Sequence, residues 1–123
     1  MIRKLFRKRI EEILAKFDKE NIIVMEESSN FFGQESKGTK QVRGNGVLLL
    51  TERDLYFEMW FPKKILKIPV STIISIDTPK TFLRKSKFRA LLKVNFKFEG
   101  RTDAAAWFLE DLAKMKEHLE QLL

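Results

Sequence analysis

Apolar and polar residues alternate in short runs through the middle of the chain, a pattern typical of antiparallel β-strands. The runs cover residues 47–51, 55–61, 65–68 and 73–77, and residues 92–98 repeat the pattern further on. Turn-forming residues separate the runs, at 52–54, at 62–64 and at Pro69. The pattern predicts an antiparallel meander, an arrangement found more often in binding modules than in enzymes.

Within the strand at 55–61 the alternation predicts which side chains face the core. Leu55, Phe57, Met59 and Phe61 fall on one side and are expected to point inward. Trp60 falls on the other side, which leaves two interpretations open. It could contact a ligand or a membrane interface, or it could be a buried cover over the side of the barrel or under the first helix; we favour a buried cover because large aromatic residues are usually buried.

The segment before the meander predicts one more strand and a loop. A β-rich run begins at Ile22 and continues to Phe32, with a bulge or bend expected near residues 28–30. Residues 33–40 are polar and contain glycine, so we expect a loop there. The next strand is predicted to begin near Gln41 and to pass through a bend at Gly44 and Gly46.

An amphipathic helix is predicted at the start of the chain, over residues 2–19. Its apolar residues form one stripe, and Lys4, Arg7 and Lys8 fall largely on the opposite face. Three interpretations are open: packing on the domain, pairing with another copy, or lying in a membrane interface. Packing is favoured, so residues 1–20 are expected to precede a domain at 21–123 within a single globular unit.

The chain is predicted to end in an amphipathic helix, with apolar residues at 108, 112, 115, 119 and 122. Residues 103–109 are ambiguous at this level. Their alanines favour helix, but they could also form a last strand that pairs with 91–98 across a turn at 99–102. In that case Asp111 would cap the helix.

Composition favours a single small intracellular domain. The chain has 123 residues, 44% of them hydrophobic, which is enough to build a core. Cysteine is absent, which excludes disulfides and thiolate metal sites. The longest unbroken apolar stretch, residues 104–109, is too short to span a bilayer. We therefore expect a cytoplasmic protein, with a peripheral membrane location if its bases meet lipid.

The net charge of +7 is unevenly distributed. Residues 1–20 carry +3, residues 21–79 are neutral, residues 80–101 carry +7 and residues 102–123 carry −3. A local excess of one sign attracts anionic lipid, nucleic acid or an acidic protein. The basic excess therefore directs attention to the segment after the meander.

The basic segment at 80–89 is the main candidate site. It contains five bases and no acid, and the bases are Lys80, Arg84, Lys85, Lys87 and Arg89. Phe82, Leu83 and Phe88 lie between them. Such a loop could rest on an anionic bilayer, or grip nucleic-acid phosphates while Phe stacks on bases. It could also be a solvated hairpin whose apolar residues dock on the core.

Candidate catalytic residues are few. The single histidine, His118, lies in the C-terminal helix, and one histidine cannot form a metal cluster. No glycine-rich phosphate loop and no nucleophile motif is present in the sequence. We predict a protein without enzyme activity, cofactor or metal.

The order of motifs resembles the pleckstrin-homology-like barrel and its GRAM relatives, including small prokaryotic members. The likeness rests on Gly-x-Gly-Val-Leu-x-Leu-Thr at 44–51, x-Leu-x-Phe, Trp-x-Pro at 60–62, Ile-Pro-x-x-x-Ile at 68–73 and the closing helix. It extends from about residue 22 to the end and implies an α+β fold, an antiparallel barrel or sandwich of about seven strands capped by the C-terminal helix. It also favours the strand interpretation of residues 104–107.

The resemblance implies a binding role. Members that bind phosphoinositides carry bases around the first hairpin loop, where this chain has Lys37, Lys40 and Arg43, but their spacing misses the usual motif by one residue. We therefore expect a non-catalytic scaffold that docks on a partner protein or an anionic phospholipid surface. The alternatives are nucleic-acid binding through the same bases and homo-oligomerisation through the first helix.

Overall fold

The structure is a computed structural model that describes residues 2–86 and 88–123. Three α-helices lie at the two ends of the described chain, α1 (Ile2–Leu5), α2 (Arg7–Leu14) and α3 (Leu112–Gln121). Between them lie the strands β1 (Val24–Gln34), β2 (Gly44–Leu50), β3 (Asp54–Met59), β4 (Ile65–Pro69), β5 (Ile73–Asp77), β6 (Thr81–Phe82), β7 (Lys85–Ser86), β8 (Leu92–Phe98) and β9 (Arg101–Phe108). Short 3-10 turns occupy Lys19–Asn21, Glu35–Lys37 and Val70–Thr72.

Seven of the strands form one antiparallel sheet in the order β4-β3-β2-β1-β9-β8-β5, which confirms the predicted mainly-β, α+β architecture. The predicted barrel closure is wrong, because β4 and β5 lie at opposite edges and do not pair in the described chain. The core face is covered by α3, whose Met115 and Leu119 are fully buried. The helix thus excludes water from a core that the strands leave open.

Strand β1 links the two halves of the sheet. Its first part pairs with β2 and its last part pairs with β9, with a register shift between Glu26 and Ser29 that confirms the predicted bend. Ser29 donates a hydrogen bond from Oγ to the Gly46 carbonyl at 2.8 Å. A Cβ at Gly46 would lie only 2.5 Å from the Glu58 carbonyl oxygen, so glycine permits this close approach.

Residues 101–108 form strand β9. The family resemblance favoured a strand here, whereas the helix propensity of the alanines favoured a helix. The strand pairs with β8 through the tight turn at Glu99 and Gly100. Ala104 and Ala106 face one side of the sheet, while Ala105 and Trp107 enter the main core on the other. The Asp111 side chain accepts a hydrogen bond from the Lys114 backbone N–H at 3.1 Å, so the predicted helix cap is also confirmed.

The main core is aromatic at its centre. Phe31 stacks on Phe57 at 4.9 Å between ring centroids, and Trp107 contacts both rings. Leu55, Phe57 and Met59 point into this core, as the alternation predicted. The prediction for Phe61 is wrong: β3 ends at Met59, so the alternation stops there, and Phe61 lies in the β3–β4 turn with 79% of its surface exposed.

The N-terminal helical segment packs on the outer face of β2 and β3. Ile10 and Ile13 are fully buried against Val47, Leu49 and Tyr56. Phe6 stacks on Trp60 at 5.1 Å, and Trp60 is only 4% exposed. The structure therefore agrees with the packing interpretation of the helix and with Trp60 as its buried cover, although the helix ends at Leu14 rather than Lys19.

No helix among residues 2–86 and 88–123 is long and apolar enough to cross a membrane.

Candidate functional site

The basic segment folds as a separate two-stranded hairpin, β6–β7. Phe82 pairs with Lys85, and Leu83 and Arg84 form the two-residue tip between them. Both tip residues have positive φ, 50° and 65°, a conformation that glycine and asparagine usually supply in such turns. The hairpin thus holds two bulky residues in a conformation that costs each about 1 kcal/mol.

Phe82 anchors the hairpin to the sheet. It is buried in a second apolar cluster with Phe32, Leu91, Ala104 and Ala106 on the outer face of β1 and β9. The small alanine side chains leave room for the two phenylalanine rings. Phe82 is therefore part of the packing, as expected for a hairpin whose apolar residues dock on the core, and does not present an aromatic contact to solvent.

Phe88, unlike Phe82, is exposed to solvent. Its side chain is 89% exposed, the largest exposure among the large apolar side chains described. Its backbone has φ 60°, and its N–H donates to the Ser86 hydroxyl at 2.9 Å. A bulky ring is thus exposed on a backbone conformation that bulky residues rarely adopt.

The described bases near Phe88 in the sequence have no acidic partners among the described residues. Lys80, Arg84 and Arg89 are exposed and Lys85 is half-buried. None of these four side chains forms an ion pair with another described residue. Lys87, the fifth predicted base, lies outside the described residues.

One base of the first hairpin loop meets the second hairpin. The Arg43 guanidinium lies over the Phe32 ring at 4.7 Å from its centroid, and Phe32 packs in the same cluster as Phe82. Burial, and then the nearby charge of Arg43, lowers the pKa of Lys85. The charge of Arg43 thus acts on Lys85, although the two residues are 42 positions apart in the sequence.

The other loop bases continue this basic surface. Lys37 and Lys40 are exposed, and Lys64 in the β3–β4 turn lies beside them. Lys64 Nζ donates to the Val42 carbonyl at 3.5 Å, and burial followed by the charge of Lys37 lowers the pKa of Lys64. Val42 and Phe61 are exposed at this edge, and the sequence predictions missed both residues and Lys64 as candidates.

The bases of the first helix divide into two groups. Lys4 and Lys8 are exposed, as predicted. Arg7 instead binds the Glu27 carboxylate through two hydrogen bonds, of 2.8 and 3.1 Å, and is therefore committed to the fold.

A buried ionic cluster beneath the helix was missed by sequence reasoning. Glu58 is 1% exposed and accepts hydrogen bonds from Arg9 at 2.7 Å, Lys16 at 2.7 Å and the Tyr56 hydroxyl at 2.5 Å. Burial alone would raise the pKa of Glu58, but these three hydrogen bonds outweigh it and lower the pKa. Burial and the bond to Glu58 raise the pKa of Tyr56. The only sequence signal was an acid on the strand face that the helix covers.

A second buried carboxylate, Asp103, fixes the end of β1. It accepts hydrogen bonds from the Gln34 side chain, from both the hydroxyl and backbone N–H of Ser36, and from the Ala104 N–H. Burial opposes ionisation, yet these bonds lower the pKa of Asp103. The cluster orients the start of the loop that carries Lys37 and Arg43.

The remaining candidates are a metal site and the single histidine. Among residues 2–86 and 88–123, no group of three or more histidine, aspartate or glutamate side chains is arranged to hold a metal ion. His118 is a half-buried residue on α3, away from the basic hairpin in the sequence.

Comparison with known proteins identifies a fold and no family. No protein-family model and no curated protein matches the chain. Among solved structures, a chain of "The 8S snRNP Assembly Intermediate" matches with a TM-score of 0.67 and 9% identity, over 85% of this chain and 84% of that one. The C-terminal domain of an unknown protein from Leishmania infantum matches with a TM-score of 0.63 and 14% identity, over 99% and 97%. At these identities the matches describe the fold alone.

Proposed function

We propose that this protein is a non-catalytic binding module that docks on anionic membrane surfaces through the hairpin at residues 80–89. The observation that carries the proposal is Phe88, an exposed aromatic side chain on a positive-φ backbone, in a basic run whose described bases have no acidic partner in the described chain. The resemblance to pleckstrin-homology-like modules agrees with a binding role. We also propose that the open sheet is a variant of that fold.

The chemistry of the hairpin suits a lipid surface. A basic residue near an anionic bilayer contributes about 1 kcal/mol, and full burial of a phenylalanine side chain contributes about 2 kcal/mol. Arg84 and Arg89 are exposed on either side of Phe88 in sequence, so the electrostatic attraction and the burial of the phenylalanine side chain would act at the same segment. Because Phe82 fixes the hairpin on the sheet, Phe88 is presented without a large ordering cost on binding.

The exposed apolar residues favour lipid over nucleic acid. Val42 and Phe61, 53% and 79% exposed, lie on the loop and turn that carry Arg43 and Lys64. Several apolar side chains projecting among bases match a bilayer, where chains and headgroups are both available. Single-stranded nucleic acid would instead require aromatic platforms for successive bases.

Co-sedimentation with phosphatidylserine-containing vesicles tests the proposal. Phe88→Ser is expected to weaken binding about tenfold through lost insertion. The double variant Arg84→Glu/Arg89→Glu is expected to abolish binding at 150 mM salt, a concentration at which the Debye length is about 8 Å. Lys97→Glu/Arg101→Glu makes the same charge change at exposed positions of the β8–β9 hairpin and serves as the matched control.

Three results would overturn membrane docking. One is a wild-type protein that does not sediment with these vesicles even at low salt. Another is an equal loss in the hairpin double variant and its control, which would mean that only net charge matters. The third is binding to single-stranded RNA or DNA that falls steeply with salt while vesicle binding is absent, which would favour the nucleic-acid alternative.

A further inference from the structure

We propose that Ser86 is a phosphorylation site for a serine/threonine kinase that recognises basic substrates, and that its phosphorylation releases the β6–β7 hairpin from an anionic membrane. The release rests on the proposed function, because it regulates that same docking surface. The modification site does not, since it depends on the exposure of Ser86, on the bases around it and on the hydrogen bonds of its hydroxyl.

Ser86 lies within the basic segment, with bases on both sides. Arg84 and Lys85 precede it, Lys87 and Arg89 follow it, and the segment contains no acid. Ser86 is itself exposed, as are Arg84 and Arg89. Bases around an exposed hydroxyl complement a kinase whose substrate groove is acidic, and they speed its encounter with the segment.

The strand that ends in Ser86 can open locally. Strand β7 has two residues and pairs with the two residues of β6, outside the seven-stranded sheet. A kinase holds its substrate as an extended segment, so the pairing of this hairpin must open when the kinase binds. A ladder of two exposed pairs costs little to open, and Phe82 on the other strand keeps its place in the apolar cluster.

The Ser86 hydroxyl links the start of the hairpin to the exposed ring. It donates a hydrogen bond to the Lys80 carbonyl at 3.0 Å and accepts one from the Phe88 backbone N–H at 2.9 Å. Phosphorylation converts the hydroxyl to an ester oxygen, which cannot donate, so the bond to Lys80 is lost. A change at this one oxygen therefore acts directly on the segment that presents Phe88.

The reaction transfers the γ-phosphoryl group of ATP to Ser86. A bond forms between Ser86 Oγ and the γ-phosphorus, and the bond from that phosphorus to the β–γ bridging oxygen breaks. ADP leaves, and the hydroxyl proton passes to a base of the kinase. The new group carries a charge of about −1.5 to −2 at pH 7. The five bases of the segment give it a charge of +5, which phosphorylation lowers to about +3.

This charge opposes docking in two ways. Each charge near an anionic bilayer changes the affinity about fivefold, so the phosphate weakens binding about tenfold to thirtyfold through repulsion from the lipid. Phosphate oxygens also form strong hydrogen bonds with guanidinium groups beside them, such as those of Arg84 and Arg89. Bases that pair with the phosphate are then withdrawn from the headgroups.

The modification is tested on the full chain. The protein is incubated with ATP and the catalytic domain of protein kinase C, which accepts serines with bases on both sides, and mass spectrometry locates the phosphate. We expect it on Ser86, with no phosphate on the same peptide of Ser86→Ala. Thr81→Ala is the matched control, because Thr81 is exposed and is the cross-strand partner of Ser86, and it should be phosphorylated as fast as wild type. An acid-directed kinase such as casein kinase II should leave the segment unmodified.

The release is tested by co-sedimentation with phosphatidylserine vesicles. Phosphorylated protein is expected to bind about tenfold or more weakly, and Ser86→Glu, with one negative charge, about fivefold more weakly. Ser71→Glu makes the same charge change at an exposed turn outside the hairpin and should retain binding. Ser86→Ala loses the hydroxyl without gaining charge, so it should bind within about twofold of wild type if charge is the cause.

The outcomes separate the site, the release and membrane docking. The site is refuted if the kinase leaves Ser86 unmodified while it phosphorylates a short serine peptide of basic sequence. The release is refuted if phosphorylated and unmodified proteins bind vesicles equally, or if Ser71→Glu weakens binding as much as Ser86→Glu. A wild-type protein that binds no vesicles overturns docking and release together, and phosphate on Ser86 then still supports the modification site.

Discussion

Glu58 is predicted to hold the N-terminal helix on the sheet through a buried ionic cluster, and Glu58→Gln tests this. The substitution keeps the shape of the side chain and removes the charge that Arg9 and Lys16 share. Removing one partner of a buried ion pair costs about 3–5 kcal/mol. Here Arg9 keeps hydrogen bonds to the Met59 and Trp60 carbonyls, and Lys16 is half-exposed, so we expect a smaller loss, about 2–3 kcal/mol.

Urea unfolding followed by tryptophan fluorescence measures the loss, because Trp60 lies under the helix. Lys16→Gln is the matched control, and it is expected to cost about 0–1 kcal/mol since the lysine is half-exposed. The pKa of Glu58 in the folded protein lies below its ordinary value of 4.5. Its contribution is therefore fully present above that value and is lost as the pH falls through the lower, folded pKa.

The difference in unfolding free energy between wild type and Glu58→Gln should consequently shrink as the pH is lowered below 4.5. A loss no larger than that of Lys16→Gln at neutral pH would refute the reasoning. So would a difference that stays constant down to pH 3, because the charge of Glu58 would then contribute nothing.

Two further predictions follow from what the helix covers and what the turn exposes. Deletion of residues 1–20 uncovers Val47, Leu49 and Trp60, so the truncated protein should aggregate or lose its cooperative thermal unfolding. If light scattering shows a monomer and calorimetry an unchanged melting temperature, the helix is dispensable for the fold. Phe61→Ser should leave the melting temperature unchanged, because the ring is exposed, and weaken phosphatidylserine-vesicle binding about threefold; full affinity would remove this turn from the docking surface.

The sheet could be predicted because its signal is local. Strands β4, β5 and β8 follow from alternation and turn residues alone, and β8 has the predicted bounds, residues 92–98. Strand β9 needed more than propensity. Its three alanines are good helix formers. In the fold, however, Ala105 lies in the main core with Trp107 on one face of the sheet, while Ala104 and Ala106 make room for phenylalanine rings on the other face.

The closure of the sheet and the position of Phe61 could not be predicted, because both depend on where a strand stops. Alternation continues in the sequence through Phe61, yet β3 ends at Met59. Arg9, from a helix 50 positions away, donates hydrogen bonds to the Met59 and Trp60 carbonyls at this strand end. Nothing in a local window of sequence contains that contact.

The candidate site was predictable in composition and unpredictable in arrangement. The basic run at 80–89 is predicted from charge alone, but the packing of its Phe82 with Phe32, the ring over which Arg43 lies, depends on the tertiary fold. Phe82 lies between Thr81 and Leu83 and Phe88 between Lys87 and Arg89, both within the same basic run. The tertiary fold buries one and exposes the other, and only the exposed ring is available to a membrane.

The outer face of the sheet carries two basic elements, and their contacts explain why only one of them is a candidate for binding. The helix commits Arg7 to Glu27 and Arg9 and Lys16 to Glu58, so most of its inward charge is neutralised within the fold. The hairpin packs Phe82 and part of Leu83 against the sheet and leaves its described bases without ion pairs. A helix that left the sheet to serve as a membrane anchor would break the ion pairs to Glu58 and uncover Val47, Leu49 and Trp60. The hairpin can meet an anionic surface without breaking any contact that holds the fold together.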